Sequence, residues 1–249
     1  MTVNLVLDIE TKIDRLALAA SGRTSAPRDM PPPLQVITAI SMLEFDCDEN
    51  GRVSGFVLTS RDAQDGGEAA LVEIAERRLA GLHAKGGELI TYNGRHDLSV
   101  MRFALIRART LGGGGVTSWM NEPPERHRDL MHEVAGCGRW SRLDDVAAGL
   151  GFAGPVILMS AAEPEACRAK SERDVVLTAL FYIHLQAERS GDGEGFKRNL
   201  LTIGRFLGAR ALSMPHLGSV LLSPIFATDA RRLKGAAGIR NLGRSRMSS

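Results

Sequence analysis

The sequence has few cysteines. The chain of 249 residues contains only Cys47, Cys137 and Cys167, and these lie far apart. They do not have the close spacing of paired metal ligands, and an odd number cannot all pair within the chain. The pattern excludes a disulfide-stabilised secreted scaffold and predicts free thiols in a reducing cytoplasm.

Long apolar runs and targeting segments are also lacking. No stretch is apolar over the roughly 20 residues that a membrane-spanning helix needs. The N-terminal apolar segment has no basic region before it and stops at Asp8, so we do not expect a signal peptide. The glycine run at 112–115 lacks the Lys-Ser/Thr pair of a phosphate-binding loop. We therefore expect a cytoplasmic protein with no membrane partner.

Charge is nearly balanced overall but is unevenly distributed. The net charge is +2, from 31 basic and 29 acidic residues, so composition alone does not indicate a nucleic-acid partner. The stretch from Arg231 to Ser249, here called the basic tail, carries arginine and lysine and no acidic residue. We expect the tail to pair with phosphates or, with equal weight, to be a disordered tail or a subunit contact.

The order of sequence patterns predicts an α/β fold. An apolar segment at Val3–Leu7 is typical of a central strand, and two β-branched segments at 34–45 and 52–60 flank an Asn-Gly turn, which indicates a hairpin. A further short strand is expected at 88–92. Helical spacing is found in five segments: 67–84, 96–111, 142–150, 163–188 and 196–212. This order predicts a mixed sheet with helices packed on it.

We expect two regions along the chain. Residues 1–189 contain all the predicted strands and would form one domain. Residues 190–249 would form a helical extension that ends in the basic tail.

Asp8 and Glu10 are the first candidate site residues. They follow the first apolar segment, and residues i and i+2 of a strand point to the same face, with Ile9 turned back into the core. Two carboxylates this close repel each other unless a positive charge lies between them. A hard divalent cation, which prefers oxygen ligands, meets that need. For this tripeptide alone, a polar strand end is the simpler interpretation.

Two further acidic residues lie at comparable positions. Asp97 follows an Asn-Gly turn and opens a predicted helix, where an acidic side chain complements the helix dipole. Asp174 lies inside the longest predicted helix, near the edge of its apolar stripe. Either residue alone would be explained by helix stability or surface exposure.

Together, these segments resemble the DEDD superfamily of 3′–5′ exonucleases. The D-x-E motif is Asp8–Glu10, the N-x-x-x-D segment is Asn93–Asp97, and the final acid on a C-terminal helix is Asp174. Two connecting stretches, His127–Leu130 and 143–151, also resemble this superfamily. The likeness is to predicted exonucleases related to the proofreading domain of family B DNA polymerases, and it ends near residue 188.

The resemblance implies a ribonuclease-H-like mixed sheet flanked by helices, and hydrolysis of phosphodiester bonds with two ions, Mg²⁺ or Mn²⁺. It implies that Asp8 bridges both ions and that Glu10 and Asp174 hold the ion on the nucleophile side. Asp97 would hold the other ion, largely through water. The implied partner is nucleic acid, DNA or RNA, engaged at single-stranded 3′ ends.

The sequence departs from this family at one position. Family members carry a Tyr four residues before the last Asp or a His five residues before it, and here those positions are Lys170 and Ala169. Lys170 shares a helix face with Asp174, so we expect an ion pair, and its ammonium is also a candidate to bind a substrate phosphate. Three residues beside the third acid are further candidates to contact substrate: Asn93, Arg95 and His96.

Two other functions stay open. The missing Tyr or His favours a non-catalytic nucleic-acid-binding or interaction module on the same fold. The four acidic residues argue against it, because clustered negative charge does not attract phosphates. A phosphatase or nucleotide hydrolase with similar metal ligands is the other alternative, and activity on a mononucleotide would point to it.

Overall fold

The computed structural model describes residues 1–23, 30–110, 114–134, 141–154 and 163–227; Cys137 and the basic tail lie outside these ranges. The described residues form one sheet of five strands: β1 Thr2–Ile13, β2 Gln35–Cys47, β3 Val53–Asp62, β4 Glu88–Thr91 and β5 His127–Asp129.

The sheet has the order β3-β2-β1-β4-β5. β2 is antiparallel to both β1 and β3, whereas β1, β4 and β5 run parallel to one another. This mixed sheet, flanked by helices and followed by a C-terminal helical region, has a ribonuclease-H-like topology, as the sequence predicts. The hairpin between β2 and β3 is confirmed, and the carboxylate of Asp48 closes it by accepting hydrogen bonds from the N–H groups of Asn50 and Arg52.

The described residues also form nine α-helices: α1 Arg15–Ala20, α2 Gly67–Ala84, α3 Gly94–Arg107, α4 Gly115–Met120, α5 Leu130–Val134, α6 Leu143–Gly149, α7 Pro164–Ser190, α8 Gly193–Gly208 and α9 Pro215–Leu221. Among them, none is both long enough and apolar enough to cross a membrane. The sequence predicts α2, α3, α6, α7 and α8 to within a few residues, whereas α1, α4, α5 and α9 were not predicted.

The sheet is covered on both faces. Because side chains alternate along β1, Leu5, Leu7 and Ile9 belong to a buried cluster with residues of α2, α3 and α4. Val6 belongs to a second buried cluster, on the other face, to which α7 contributes most. Asp8 and Glu10 have the same parity as Val6, so they face α7.

The C-terminal helices share the second cluster. Ile203 and Leu207 of α8 and Leu217 of α9 are buried in it together with residues of α7. The predicted boundary after residue 189 therefore falls at the end of α7, within one hydrophobic core, and the division of the chain into a domain and a helical extension stays a prediction.

β1 is longer than the sequence predicts. The apolar segment ends at Leu7, but the strand continues to Ile13 because β2 pairs with it along its whole length. The expectation that the acidic pair lies where a strand ends is therefore wrong: Asp8 and Glu10 lie within the strand. The register shifts just after Glu10, at a bulge that contains Thr38 of β2.

Candidate metal centre

Three of the four candidate acids lie close together. Asp8 and Glu10 extend from β1 toward α7, and Asp174 extends from α7 toward the strand. Each offers a carboxylate oxygen, and these oxygens all lie within 4.8 Å of one another. This arrangement is one that can hold a metal ion, and it joins residues more than 160 positions apart in the chain.

Two hydroxyl groups fix the backbone around this acidic cluster. Ser171 Oγ of α7 donates to the carbonyl oxygen of Asp8 at 3.1 Å. Thr38 Oγ1, at the bulge of β2, donates to the carbonyl oxygen of Glu10, also at 3.1 Å. Bulges often re-aim side chains beside active sites, and this one adjoins the second carboxylate. The strand and the helix are therefore held in place independently of any charge in the cluster.

Lys170 lies between two of the carboxylates. Its Nζ donates to Asp174 Oδ2 at 2.9 Å, one helical turn along α7, and also donates to Glu10 Oε1. The predicted ion pair with Asp174 is confirmed, whereas the contact with Glu10 was not predicted. The neighbouring carboxylates raise the pKa of Lys170 against the opposing effect of burial, so the ammonium stays charged.

Asp8 is in a different situation. Its Oδ2 atom is buried and has no hydrogen-bond partner. Burial raises the pKa of Asp8 well above its ordinary value, and the negative charges of Asp174, Asp97 and Glu10 raise it further. A buried acceptor oxygen without a donor, beside two other carboxylates, fits a bound cation, and an oxygen-only donor set suits Mg²⁺ or Mn²⁺.

The other two acids of the cluster are also perturbed. Burial raises the pKa of Glu10 and of Asp174, and the ammonium of Lys170 offsets part of each shift. A second cation lies nearby, because Arg173 Nη1 is 3.5 Å from Asp174 Oδ1. The same guanidinium binds Asp144 at 2.8 Å.

Asp97 lies outside the group of three. It is buried in the first turn of α3, which packs on the other face of the sheet. Burial raises the pKa of Asp97 well above its ordinary value, and the negative charges of Asp129 and Glu10 raise it further. Its own charge raises the pKa of Asp8, so the two carboxylates interact. Its role as a metal ligand stays a prediction.

The turn before Asp97 is held by Asp129, which the sequence indicates only as a helix-capping or surface residue. The carboxylate of Asp129 accepts the N–H groups of Asn93 at 2.9 Å and Arg95 at 3.4 Å. Asn93 has a φ of 70°, in the left-handed region that few residues other than glycine adopt. The His127–Leu130 stretch was the only signal for this residue, because its contact with the turn depends on the pairing of β4 with β5.

The remaining candidates have different surroundings. Half-buried His96 places its Nε2 3.1 Å from Gln35 Nε2 and 3.4 Å from Gln35 Oε1, and burial lowers its pKa. Arg95 is exposed and lines an open pocket of about 480 Å³ together with His127 and His132. Binding of substrate by Asn93, Arg95, His96 or Lys170 stays a prediction.

Comparison of the chain with protein-family models and with curated proteins finds no match. Fold and site together define an α/β protein of ribonuclease-H-like topology with a cluster of three carboxylates beside its central strand.

Proposed function

We propose that this chain is a metal-dependent 3′–5′ exonuclease that hydrolyses phosphodiester bonds at single-stranded 3′ ends of DNA or RNA. The observation that carries the proposal is the convergence of Asp8, Glu10 and Asp174 within 4.8 Å. On a ribonuclease-H-like sheet, these residues follow the motif order of the exonucleases that the sequence resembles.

The acidic cluster supplies what this reaction requires from the protein. Asp8, Glu10 and Asp174, with Asp97 as a fourth acid, would hold Mg²⁺ or Mn²⁺ through oxygen atoms alone. When bound, the metal activates water for attack and offsets negative charge on the phosphate and leaving oxygen. The carboxylates thereby fix where the phosphodiester lies, and the hydroxyl of Ser171 keeps strand and helix aligned.

Lys170 does not act as the base. Its ammonium is held protonated by Glu10 and Asp174, so it cannot accept a proton from water. It is suited to a different task, since it is half exposed and carries the positive charge that attracts a phosphate. Exposed Arg95, which lines the pocket with His127 and His132, offers a second such charge.

Labelled strands test the proposal. Single strands carrying a label at either the 5′ or the 3′ end are incubated with the full chain and Mg²⁺, Mn²⁺ or EDTA. We expect the 5′-labelled strand to shorten stepwise and the 3′ label to be released at once as a mononucleotide, in both cases only with metal. Retention of the 3′ label on shortening fragments, or equal cleavage in EDTA, would contradict the proposal.

One observation favours the alternative of a non-catalytic binding module. Lys170 stands where the family carries its Tyr, and it neutralises part of the acidic cluster. A binding module would retard labelled strands in a native gel without shortening them. Hydrolysis of a free mononucleotide in the same assay, with intact strands, would point instead to a nucleotide hydrolase.

A further inference from the structure

The carboxylate oxygens of the acidic cluster differ in whether they contact a positively charged side chain. Both oxygens of Asp174 face a cation: Oδ2 accepts from Lys170 at 2.9 Å, and Oδ1 lies 3.5 Å from Arg173. Glu10 Oε1 also accepts from Lys170. Lys170 and Arg173 therefore already supply positive charge to Glu10 and Asp174.

Asp8 differs from Glu10 and Asp174 in this respect. Among the residues that the structure describes, its Oδ2 is the only carboxylate oxygen that is both buried and without a hydrogen-bond partner. The negative charge of Asp97 also acts on Asp8. Asp8 is thus the carboxylate of the cluster that most requires a bound cation.

We propose that the centre binds a single divalent cation, on Asp8, and that the Lys170 ammonium takes the position between Glu10 and Asp174 that a second ion would occupy. This inference rests on the proposed function and deepens it, because it proposes one ion where the resemblance implies two.

Physical reasons favour one ion. In two-ion hydrolytic sites the ions lie about 3.5–4 Å apart and share carboxylates. A second ion here would have to use Glu10 and Asp174, and would displace an ammonium that two carboxylates hold and that α7 tethers. With the ammonium in place, a second divalent ion would meet a positive charge in direct contact with its own ligands.

Counting bound Mn²⁺ tests the inference without reference to activity. Isothermal titration of the full chain with Mn²⁺ should give one ion per chain, and electron paramagnetic resonance of free Mn²⁺ should give the same number. Lys170→Met removes the ammonium but keeps an unbranched side chain, and should raise the count from one to two. Asp8→Asn should abolish binding of the single ion.

A matched control is available on α8. Lys197 pairs with Glu194 at 2.5 Å, three residues apart and well exposed, so Lys197→Met removes a helical ion pair away from the cluster. The count in this variant should stay at one. Circular dichroism establishes that each variant is folded, and Lys170→Gln replaces Lys170→Met if the latter does not fold.

The outcomes separate the two proposals. Two ions in the wild-type chain, or one ion in a folded Lys170→Met chain, would overturn the inference and leave the exonuclease proposal standing. One ion retained by Asp8→Asn would overturn the assignment of the ion to Asp8. No ion bound by folded wild type would overturn both the inference and the proposed metal-dependent function.

Discussion

The ammonium of Lys170 lies 2.9 Å from Oδ2 of Asp174 and also donates to Glu10, so a single side chain joins α7 to β1 across the candidate metal centre. Three carboxylates within 4.8 Å repel one another. The lysine therefore stabilises the protein wherever no metal is bound, and this role can be tested separately from catalysis.

Lys170→Met should lower the free energy of unfolding in EDTA. The change leaves Glu10 and Asp174 without their shared cation, and because the lysine side chain is 51% exposed the loss should be about 1 kcal/mol. Added Mg²⁺ should then raise the melting temperature of the variant more than that of wild type, because ion binding replaces the lost charge. Urea denaturation and thermal melts measure both effects. Equal stability in EDTA would show that the ion pair contributes nothing.

The pH dependence of stability should change in Asp8→Asn. The folded-state pKa of Asp8 is raised above its ordinary value of 3.8, so the folded chain holds this proton more tightly than the unfolded chain. Its contribution to stability is complete below about pH 4 and is lost as pH rises through the folded-state pKa. Relative to Asp8→Asn in EDTA, wild type should therefore lose stability as pH rises from about 4 through the raised folded-state pKa of Asp8.

Urea melts at several pH values measure this difference. Glu194→Gln serves as the control, because the Glu194 side chain is 73% exposed and lies on α8 away from the cluster. Its curve should run parallel to that of wild type. A parallel curve for Asp8→Asn as well would mean that Asp8 has an ordinary pKa.

Part of the centre is evident from the sequence, because local geometry determines it. The strand period of two places Asp8 beside Glu10, and the helical period places Lys170 beside Asp174. The contact between Lys170 and Glu10 is not evident, because it depends on how α7 packs over β1, 160 residues away along the chain.

The fold was predictable to a similar degree. The hairpin and the long helices have strong periodic signals, and the sequence predicts them correctly. The strand β5 was missed because His127–Asp129 is only three residues long and polar, and is held by parallel pairing with β4. The extension of β1 beyond Leu7 was also missed because it depends on strand pairing: β2 pairs with β1 past the residue at which the apolar pattern ends.

A buried carboxylate away from the centre should matter for stability alone. Glu172 of α7 is 2% exposed, accepts from Ser60 Oγ of β3 and lies 2.6 Å from His216 Nε2 of α9. Glu172→Ala should lower the free energy of unfolding by about 3 kcal/mol, because it removes a buried polar group from a connected network. Urea denaturation measures the loss, and Glu194→Ala, an exposed change on α8, should cost less than about 0.5 kcal/mol. A loss for Glu172→Ala as small as that of the control would show that this network does not hold α9 in place.

The basic tail should contribute to nucleic-acid binding through charge alone. It lies outside the described residues, so the prediction rests on its six basic residues and the absence of acidic ones. Each phosphate contact adds roughly 0.7 to the slope of log affinity against log salt on single strands. Deleting 231–249 should weaken binding at low salt and flatten this slope, as measured by fluorescence anisotropy. Identical slopes for the two chains would exclude an electrostatic role for the tail.

The most direct test of the account is the rate at which Asp8→Asn shortens a 5′-labelled single strand in Mg²⁺ or Mn²⁺. The substitution removes the carboxylate charge with little change in volume, so the chain should fold and yet lose metal-dependent cleavage, by roughly 10²-fold or more. Glu194→Gln, which removes an exposed charge far from the cluster, should cleave at the wild-type rate. Stepwise shortening by Asp8→Asn as fast as by wild type would contradict the central claim that the acidic cluster on β1 and α7 is the site of hydrolysis.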